Sequence, residues 1–492
     1  MTQTTFRAAA RLRTAGRRAG AVLLASALAA AALIGGASAA SAAGDGETYV
    51  IGTDTTYAPF EFTNSDGELV GIDMDLLRAI AEDQGFQVDI RQLGFDAAVQ
   101  ALQSNQVDAV MAGMSITPER EETFDFGDPY FTGGIQLGVL ESSGIESYDD
   151  LDGQTVAVKT GTQGQTFANE IRDEYGFRVS PYQDTTDMVD AVKAGQAVGY
   201  FEDYPVLAYG IQQGSGFRLV GEPELGGEYG LAVNKGQNAE LIEMFDAGLA
   251  NLQASGEYDE IVDAYVGGGS ASAQPTDIVS VAVQYWPALM NGLWLTILAT
   301  LIAIVAAFVL GVVFGFGRIS RFLPYRWIAT AYVYVFRGTP ILVQAFFVFF
   351  AVPQLVPGLQ FNPFVAGAIT LSLNTGAYMT EIIRGGIQAV DPGQTEASRS
   401  LGLGHWKTMR KVVLPQAFRI MIPSFVNQGI ITLKDTSLLS AIGLAELTFQ
   451  SRQIIASTYL SAQVLTVVAL IYFVVITLLT VLANRLERKS PA

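Results

Sequence analysis

The sequence predicts a multi-domain chain: a two-lobed α/β domain followed by an all-α transmembrane domain of about five helices. Three observations lead there. The 48 acidic and 29 basic residues are segregated along the 492-residue chain. Strand-like and helix-like stretches alternate between residues 48 and 266. Apolar windows of membrane-spanning length recur after residue 285. The net charge of −19 therefore describes neither half, because residues 44–274 carry 41 acids against 9 bases and residues 275–492 carry 7 against 15.

The first 43 residues open with Arg7, Arg11, Arg13, Arg17 and Arg18, continue through an apolar run over 19–34, and end in the small-residue steps Ala37-Ser38-Ala39 and Ala40-Ser41-Ala42. That build predicts a secretory signal peptide, with a retained anchor as the alternative. Either one leaves residue 44 onward outside the membrane.

Residues 44–266 form the acidic domain. TYVIGTD, FQVDIRQL, VDAVMAGMSI, QTVAVKTGT, RVSPYQ and VGYFED read as strands. IDMDLLRAIAEDQG, closed by Gly85, reads as an amphipathic helix, as do DAAVQALQSNQ, QTFANEIRDEYG and TDMVDAVKAGQ. Alternation of this kind argues for parallel sheets, whose binding crevices lie beyond the carboxyl ends of the strands. Asp54 and Tyr57 follow the first strand and Phe95 precedes the second helix. Gly113, Ser115 and Arg120 follow MAG, Lys159 to Thr162 follow TVAVK, and Asp203 follows VGYFE. Together they supply a fixed cation, carboxylates, a hydroxyl, backbone N–H groups and two aromatic faces, an inventory suited to a zwitterion. The alternatives are a surface pairing of Arg120 with Glu119 or Glu122, a helix cap at Asp203, and core packing of Tyr57 and Phe95. Lys159 leads into a glycine turn but lacks the GxxxxGK[ST] order, which argues against nucleotide. The acidic balance argues against nucleic acid. Cysteine is absent and His405 is the only histidine, so thiolate metal sites, cysteine nucleophiles and histidine-based hydrolysis lack material.

Residues 267–276 read as a flexible linker; the glycine–serine–alanine stretch 267–273 spans roughly 25 Å at ~3.5 Å per residue. The basic domain, 277–492, has apolar windows near 289–316, 327–352, 362–382, 420–445 and 462–484. Cations gather between the first and second windows, between the third and fourth, and after the fifth. Placing all of them inside puts the acidic domain outside and the C-terminus in the cytoplasm. Lys434 and Asp435 interrupt the fourth window, which leaves open a partnered charge, a wet path or a misplaced boundary. Glu381 and Arg384 are spaced to pair along one helix face.

The loop 391–419 contains EASRSLGLGHWKTMRKVVLP. Asp391-Pro392 is a helix start, and small residues at 397, 398, 400 and 402 permit close approach. Gly402 and Gly404 allow a reversal, and Pro415 is expected to fix the exit of a second short helix. The result is a compact projection on the cytoplasmic side.

IGTDTTYAPFEF, GIDMDLLRAIAE, GMSITPERE, FDFGDPYF, TVAVKTGT and GEYDEIVDAYVG resemble the periplasmic amino-acid-binding proteins of ABC importers, especially the glutamine and histidine/basic-amino-acid binders. YVFRGTPILVQ, SLNTGAYMTEIIRGG and LKDTSLLSAIG resemble the permease subunits of polar amino-acid ABC transporters. The loop matches their EAA signature at Glu396-Ala397-Ser398, Gly402 and Val412 to Pro415, with Ser in the third position. The resemblance implies a periplasmic-binding-protein-like domain fused to a permease domain. In it Arg120 clamps an α-carboxylate, aided by Ser115 and the Thr162 backbone beside Gly113, and Asp203 takes the ammonium. Tyr57 and Phe95 sandwich the side chain, and Asp54 and Lys159 face its polar tip. The hinge is implied near 132–138 and 229–233. Glu202 stands where glutamine binders carry histidine.

The same resemblance implies that Glu396, Ala397, Gly402, Leu414 and Pro415 seat on cytoplasmic ABC ATPase subunits. It implies a multi-pass bacterial plasma-membrane protein among lipid, a homodimer through the permease domain, and no enzyme activity. The chain would bind no cofactor, the partner subunits using the ATP. The implied cargo is a polar L-amino acid: glutamine first, then glutamate, asparagine and the basic amino acids. Two rival readings are an amino-acid-gated ion channel and a dehydratase-like enzyme on the binding fold, with Glu202 as acid/base. The binding domain is complete before residue 270 and no TVGYG-like filter is present, which separates the chain from such channels.

Overall fold

The computed structural model describes residues 47–64, 66–224, 227–266, 277–356 and 359–488. The expected signal peptide and linker lie outside the described residues. From Thr48 to Val266 the chain builds two α/β lobes. In the first, strands follow the order Gln87–Gln92, Thr48–Thr53, Ala109–Val110, Ala232–Asn234, Phe124–Phe126. In the second the order is Arg178–Tyr182, Thr155–Lys159, Gly199–Asp203, Ile135–Leu140, Phe217–Glu224. The first three strands of each sheet are parallel. Ala232–Asn234 and Ile135–Leu140 run antiparallel to both their neighbours.

Both sheets are thus mixed, where wholly parallel ones were expected. The reason is where the chain crosses. Phe131–Thr132 and Glu228–Tyr229 form a two-stranded antiparallel link between the lobes, and each leads into one of the reversed strands. Those strands start at the cleft and run away from it, whereas the βα strands run toward it. The link overlaps the start of each expected hinge region, at Thr132 and Tyr229.

Local chemistry sets the elements. Helix Ile72–Gln84 buries Ile72, Leu76, Leu77, Ile80 and Ala81 on one face, and Gly85 closes it at φ 75° with its N–H on the Ala81 carbonyl. A left-handed cap of this kind favours glycine, which has no Cβ to clash. Helix Gln163–Tyr175 is capped at its start by the Thr162 hydroxyl, and so presents its N-terminal N–H groups beside Thr162.

In the helical part, the long helices Trp286–Ile319 and Pro363–Gln388 pack side by side. Ala299, Ala303, Ala307, Gly311 and Gly315 are all buried on the first. A small residue every fourth position makes a groove that lets two backbones approach. Cβ atoms added at Gly311 and Gly315 would come within 2.8 and 2.9 Å of Met379 and Ile383.

Trp286–Ile319 and Ser461–Val481 are each long and apolar enough to cross a membrane. The segments Leu323–Gly338 and Ile341–Leu355 qualify only as a pair, bent by 109°. The described helices therefore give two candidate spans, or three with the bent pair, where about five were expected. The break in the second window lies at Thr339-Pro340, where proline supplies no N–H to continue the ladder. The buried Gln344 amide closes the gap by donating to the carbonyls of Phe336 and Thr339 at 2.9 and 3.0 Å. The third window is the polar-bearing helix Pro363–Gln388. The fourth ends early: Leu414–Asp435 passes into a 3-10 segment, Thr436–Ile442. Lys434 is exposed and Asp435 half-buried in the last turn, so these charges close a helix whose expected boundary was misplaced.

In the loop, Pro392–Ser400 and His405–Thr408 are joined by a turn with Gly402 at φ 84°. The second helix does not end at Pro415. It widens into a π segment, Met409–Val413, and runs on through Leu414–Asp435. A wider turn just before a proline accommodates both its missing donor and its ring.

Candidate functional site

Tyr57, Phe95, Gly113, Ser115, Arg120, Lys159, Thr162 and Asp203 line one tight cleft between the lobes, with about 10 Å³ of free space inside. Ala112 and Gln163 also line it; sequence reasoning passed over both, although each adjoins a named residue. Asp54 is outside the lining and lies beneath it, buried against Lys159.

Across the cleft the lobes meet through polar side chains. The Tyr57 hydroxyl of the first lobe donates to the Asp203 carboxylate of the second. The Lys159 ammonium of the second lobe pairs with Asp54 of the first, with side chains only 2% and 1% exposed. The Arg120 guanidinium donates to the Ser115 carbonyl at 2.7 Å in its own lobe and to the Gly161 carbonyl at 2.9 Å in the other. It also stands 5.4 Å above the Phe95 ring. Lys159 lies 5.0 Å over Tyr57 and 5.9 Å from Phe95.

Among the described residues Arg120 makes no ion pair with Glu119 or Glu122. Asp203 precedes helix Tyr204–Gln212 without capping it through its side chain, which leaves that carboxylate for the cleft. Tyr57 and Phe95 pack into the core and line the cavity at once.

Charges in the cleft are tuned by burial and partners. Burial alone would raise the Asp54 carboxyl, yet the Lys159 charge beside it holds it below its ordinary value. Burial would likewise lower the Lys159 ammonium, and the Asp54 carboxylate reverses this and raises it. Burial pushes the Asp203 carboxyl up, opposed by the Tyr57 hydroxyl and by the charges of Arg120 and Lys159. Glu202, fully buried next to it, is pushed by burial to about 8. It accepts from the Asp203 N–H at 3.1 Å and from the Thr185 hydroxyl at 3.4 Å.

Asp73 accepts from the Gly113 N–H at 2.8 Å and from the Tyr130 hydroxyl at 2.7 Å, and burial raises its carboxyl to about 6. It thereby fixes Gly113 at φ 54°, where an added Cβ would run into the Tyr57 ring.

A second cavity, about 380 Å³, lies within the helical part and is lined by Arg337, Tyr378, Glu381, Ser424, Asn427 and Gln428. Nothing in the sequence placed these together beyond the Glu381–Arg384 pair, which forms at 2.7 Å with Arg318 also on Glu381 at 3.0 Å. In the loop 391–419, Glu396, Ala397, Gly402 and Pro415 are exposed and Leu414 is half-buried. The turn also presents Leu401 and Trp406, 84% and 77% exposed, which sequence reasoning did not single out.

Residues 49–268 match the bacterial extracellular solute-binding proteins, family 3, and residues 303–490 match the binding-protein-dependent transport system inner membrane component. The arginine transport system permease protein ArtQ of Bacillus subtilis (strain 168) is 39% identical over 43% of this chain and 95% of its own length. The chain belongs to the amino-acid ABC transporter permeases, with a solute-binding domain fused in front. The glutamine transport system permease protein GlnP of Escherichia coli (strain K12) is also 39% identical, over 42% of this chain and 94% of its own. Among solved structures, substrate-binding domain 2 of Lactococcus lactis GlnP shares 42% identity over 46% of this chain and 97% of its own, with a TM-score of 0.36. The transporter is a fused binding and permease component of an amino-acid importer. It is no enzyme, and in such systems a separate ATPase subunit uses the ATP.

Proposed function

We propose that the transporter imports a neutral polar L-amino acid, with glutamine as the first candidate. The observation that carries this is the Lys159–Asp54 pair. Two opposite charges, both buried and spent on each other, leave the wall near Tyr57 and Phe95 without net charge. A ligand cation or anion there would have to compete with an existing buried partner. A carboxamide can donate and accept beside such a pair without displacing either charge. Arg120 and Asp203 then hold the α-carboxylate and α-ammonium, with the N-terminus of helix Gln163–Tyr175 adding N–H groups on the carboxylate side. Tyr57 and Phe95 flank the side chain.

The binding domain, 44–266, faces outward on the linker 267–276. The permease domain, 277–492, pairs with a second copy and passes the amino acid inward through its polar cavity. Its apolar helices, the second span broken, lie in lipid with the C-terminus cytoplasmic. Glu396, Ala397, Gly402, Leu414 and Pro415 seat the loop on ATPase subunits. The twofold pairing suits an ATPase dimer.

The test is uptake of radiolabelled L-glutamine into proteoliposomes that hold the full chain with its cognate ATPase. Uptake should require ATP and should fall at least 100-fold in Arg120→Ala, since a buried carboxylate would lose its paired donors. Nucleotide-independent uptake would refute the transport mechanism, and undiminished uptake by Arg120→Ala would refute the placement of the carboxylate.

A further inference from the structure

Two acids lie wholly buried beneath the cleft in the first lobe, Glu61 and Asp73. Glu61 opens the short strand Glu61–Thr63 and pairs with Tyr57 on the neighbouring strand. Asp73 lies in the first turn of helix Ile72–Gln84, and its N–H donates to the Phe60 carbonyl at 3.0 Å. These adjacent backbones bring the two carboxyl groups within hydrogen-bonding reach of each other. Oδ2 of Asp73 accepts from the Gly113 N–H at 2.8 Å and from the Tyr130 hydroxyl at 2.7 Å. The other oxygens, Oε1 and Oε2 of Glu61 and Oδ1 of Asp73, accept from no N–H, amide, hydroxyl or cationic group among the described residues.

Two ionised carboxylates cannot share a buried site that offers them no donors. One proton between them removes the conflict, because it makes one acid a donor and leaves the other an acceptor. The proton belongs on Glu61. Asp73 already accepts two hydrogen bonds that favour its charged form, and Glu61 accepts none. Burial, and then the Asp73 charge, hold the Glu61 carboxyl far above its ordinary value, whereas Asp73 rises only to about 6. The other charges facing Glu61 oppose one another, Asp54 raising it and Lys159 lowering it. Tyr130 faces Asp73 as a neutral phenol, held well above its ordinary value by burial. What Asp73 holds matters to binding. Gly113 lines the cleft at φ 54° with the Tyr57 ring against it. Tyr130 directly precedes the hinge strand Phe131–Thr132, its N–H on the Tyr229 carbonyl at 2.9 Å. One carboxylate thus ties the cleft wall to the hinge.

We propose that Glu61 is a positioning residue for amino-acid binding: it keeps a proton, donates it to Oδ1 of Asp73, and so holds Oδ2 of Asp73 on the Gly113 N–H and the Tyr130 hydroxyl. This rests on reading the cleft as an amino-acid receptor. Glu61 is outside the cleft lining and acts only through Asp73. The sign follows from a raised carboxyl: the hold on Gly113 is complete below the Glu61 value and is lost as pH rises through it.

The full chain in lipid nanodiscs is compared with Glu61→Gln, which keeps a donor but cannot ionise, and Glu61→Met, which is of similar length and has neither property. Infrared spectra at pH 7 without ligand should show a protonated-carboxyl band that Glu61→Gln lacks; Glu202, also protonated at that pH, cancels in the difference. Hydrogen exchange in the peptide containing Gly113, again without ligand, should match wild type in Glu61→Gln and quicken by about tenfold in Glu61→Met. Calorimetry with L-glutamine should give the same order, Glu61→Gln within about threefold of wild type and Glu61→Met about tenfold weaker, as expected when one buried acceptor is stranded. Between pH 7 and 10 the wild type should lose several-fold more affinity than Glu61→Gln, a ratio in which the ligand's own ammonium cancels. A packing role alone would let Glu61→Met bind as well as Glu61→Gln; that result, or a difference spectrum without the acid band, would overturn the proposal. So would a wild-type affinity that falls when sodium and potassium are replaced by an organic cation, since a metal ion would then stand between the acids. If Glu61→Met does not fold, the acid band and the pH profile of Glu61→Gln decide alone. If none of the common amino acids binds the wild-type chain, the receptor reading fails, and the band and the exchange still decide the proton and its hold on Gly113.

Discussion

Replacing Lys159 by methionine isolates the buried ion pair that, among the described residues, joins the lobes. Asp54 would keep the N–H groups of Thr55 and Thr56 at 2.6 and 3.2 Å and the Thr56 hydroxyl at 3.1 Å, but lose its cation. Both partners are essentially inaccessible when the cleft is shut. Stranding a buried carboxylate in this way costs about 3–5 kcal/mol. The pair bridges two lobes that can separate, so the penalty falls on closure rather than on folding. An open cleft lets water reach Asp54. Calorimetry of the full chain with L-glutamine should therefore show affinity falling by ~100-fold or more, since 1.4 kcal/mol is a factor of ten, while the melting temperature moves little.

The pH dependence carries a sign. In the wild-type protein Asp54 is held low and Lys159 high, so the pair's contribution is lost only as pH falls through the Asp54 value or rises through the Lys159 value. In Lys159→Met the burial that raises Asp54 is opposed only by the hydrogen bonds from Thr55 and Thr56. Lowering the pH from 7 to 5 should then restore affinity as the carboxyl takes up a proton. The double variant Asp54→Asn/Lys159→Met should bind better than Lys159→Met alone at pH 7. Affinity within threefold of wild type in Lys159→Met, or a double variant no better than the single, would refute the reasoning.

Three further outcomes are expected. Gly113→Ala should weaken L-glutamine binding by about tenfold or more, because the left-handed φ and the Tyr57 ring both oppose a Cβ; calorimetry reads it, and an unchanged affinity would show that Tyr57 need not stay on Asp203. Glu202 sits near 8 in the folded protein, above its ordinary carboxyl value, so it should make the closed protein less stable as pH rises from about 5 to 8; Glu202→Gln should flatten that part of a melting-temperature profile, and a slope equal to wild type would count against it. Trp406→Glu at the exposed turn should leave amino-acid binding intact and abolish amino-acid-stimulated ATP hydrolysis by the reconstituted complex; normal stimulation would remove the loop from the coupling surface.

The α/β part was readable because its signals are local. The apolar faces of Ile72–Gln84 and Thr185–Lys193, and the glycines that close helices at 85 and 176, lie within one helix length. The cleft residues were readable because strands end there, and the residues just past each strand end are its neighbours in sequence. Strand direction in the sheets was not, since it depends on which lobe a strand enters from. In the membrane part, the bend at Thr339-Pro340 had a signal in the proline itself. The buried small-residue groove from Ala299 to Gly315 also shows a four-residue period. The polar cavity around Arg337 and Asn427 had none, because its residues come from three helices that only packing brings together. Helix Leu447–Thr458 was hidden for a related reason: one acid and one base over 446–461 give no hint that the base points at another domain.

The contacts between the domains are unequal. The first lobe shares a buried apolar cluster with the permease, in which Leu93, Phe95, Ala98 and Leu102 join Phe349, Phe350, Leu439 and Ile442, and Gln106 accepts from the Phe361 N–H at 3.2 Å. The second lobe meets the permease through polar contacts: Arg452 and Asp184 are 41% and 12% exposed, a partly screened pair of the kind worth about 1 kcal/mol or less. Burying even two or three large apolar side chains contributes about 1.5–3 kcal/mol each, so the first lobe is the anchor and the second the lighter hold. Docking then depends on the apolar contact more than on the tether. Lengthening the linker 267–276 by about thirty glycine–serine residues should therefore leave the docked fraction high, read as fluorescence transfer between Glu170→Cys and an outer permease position, whereas Leu102→Asp should lower it several-fold. A docked fraction that collapses on linker extension alone, with Leu102→Asp without effect, would mean that the tether and not the apolar contact holds the two domains together.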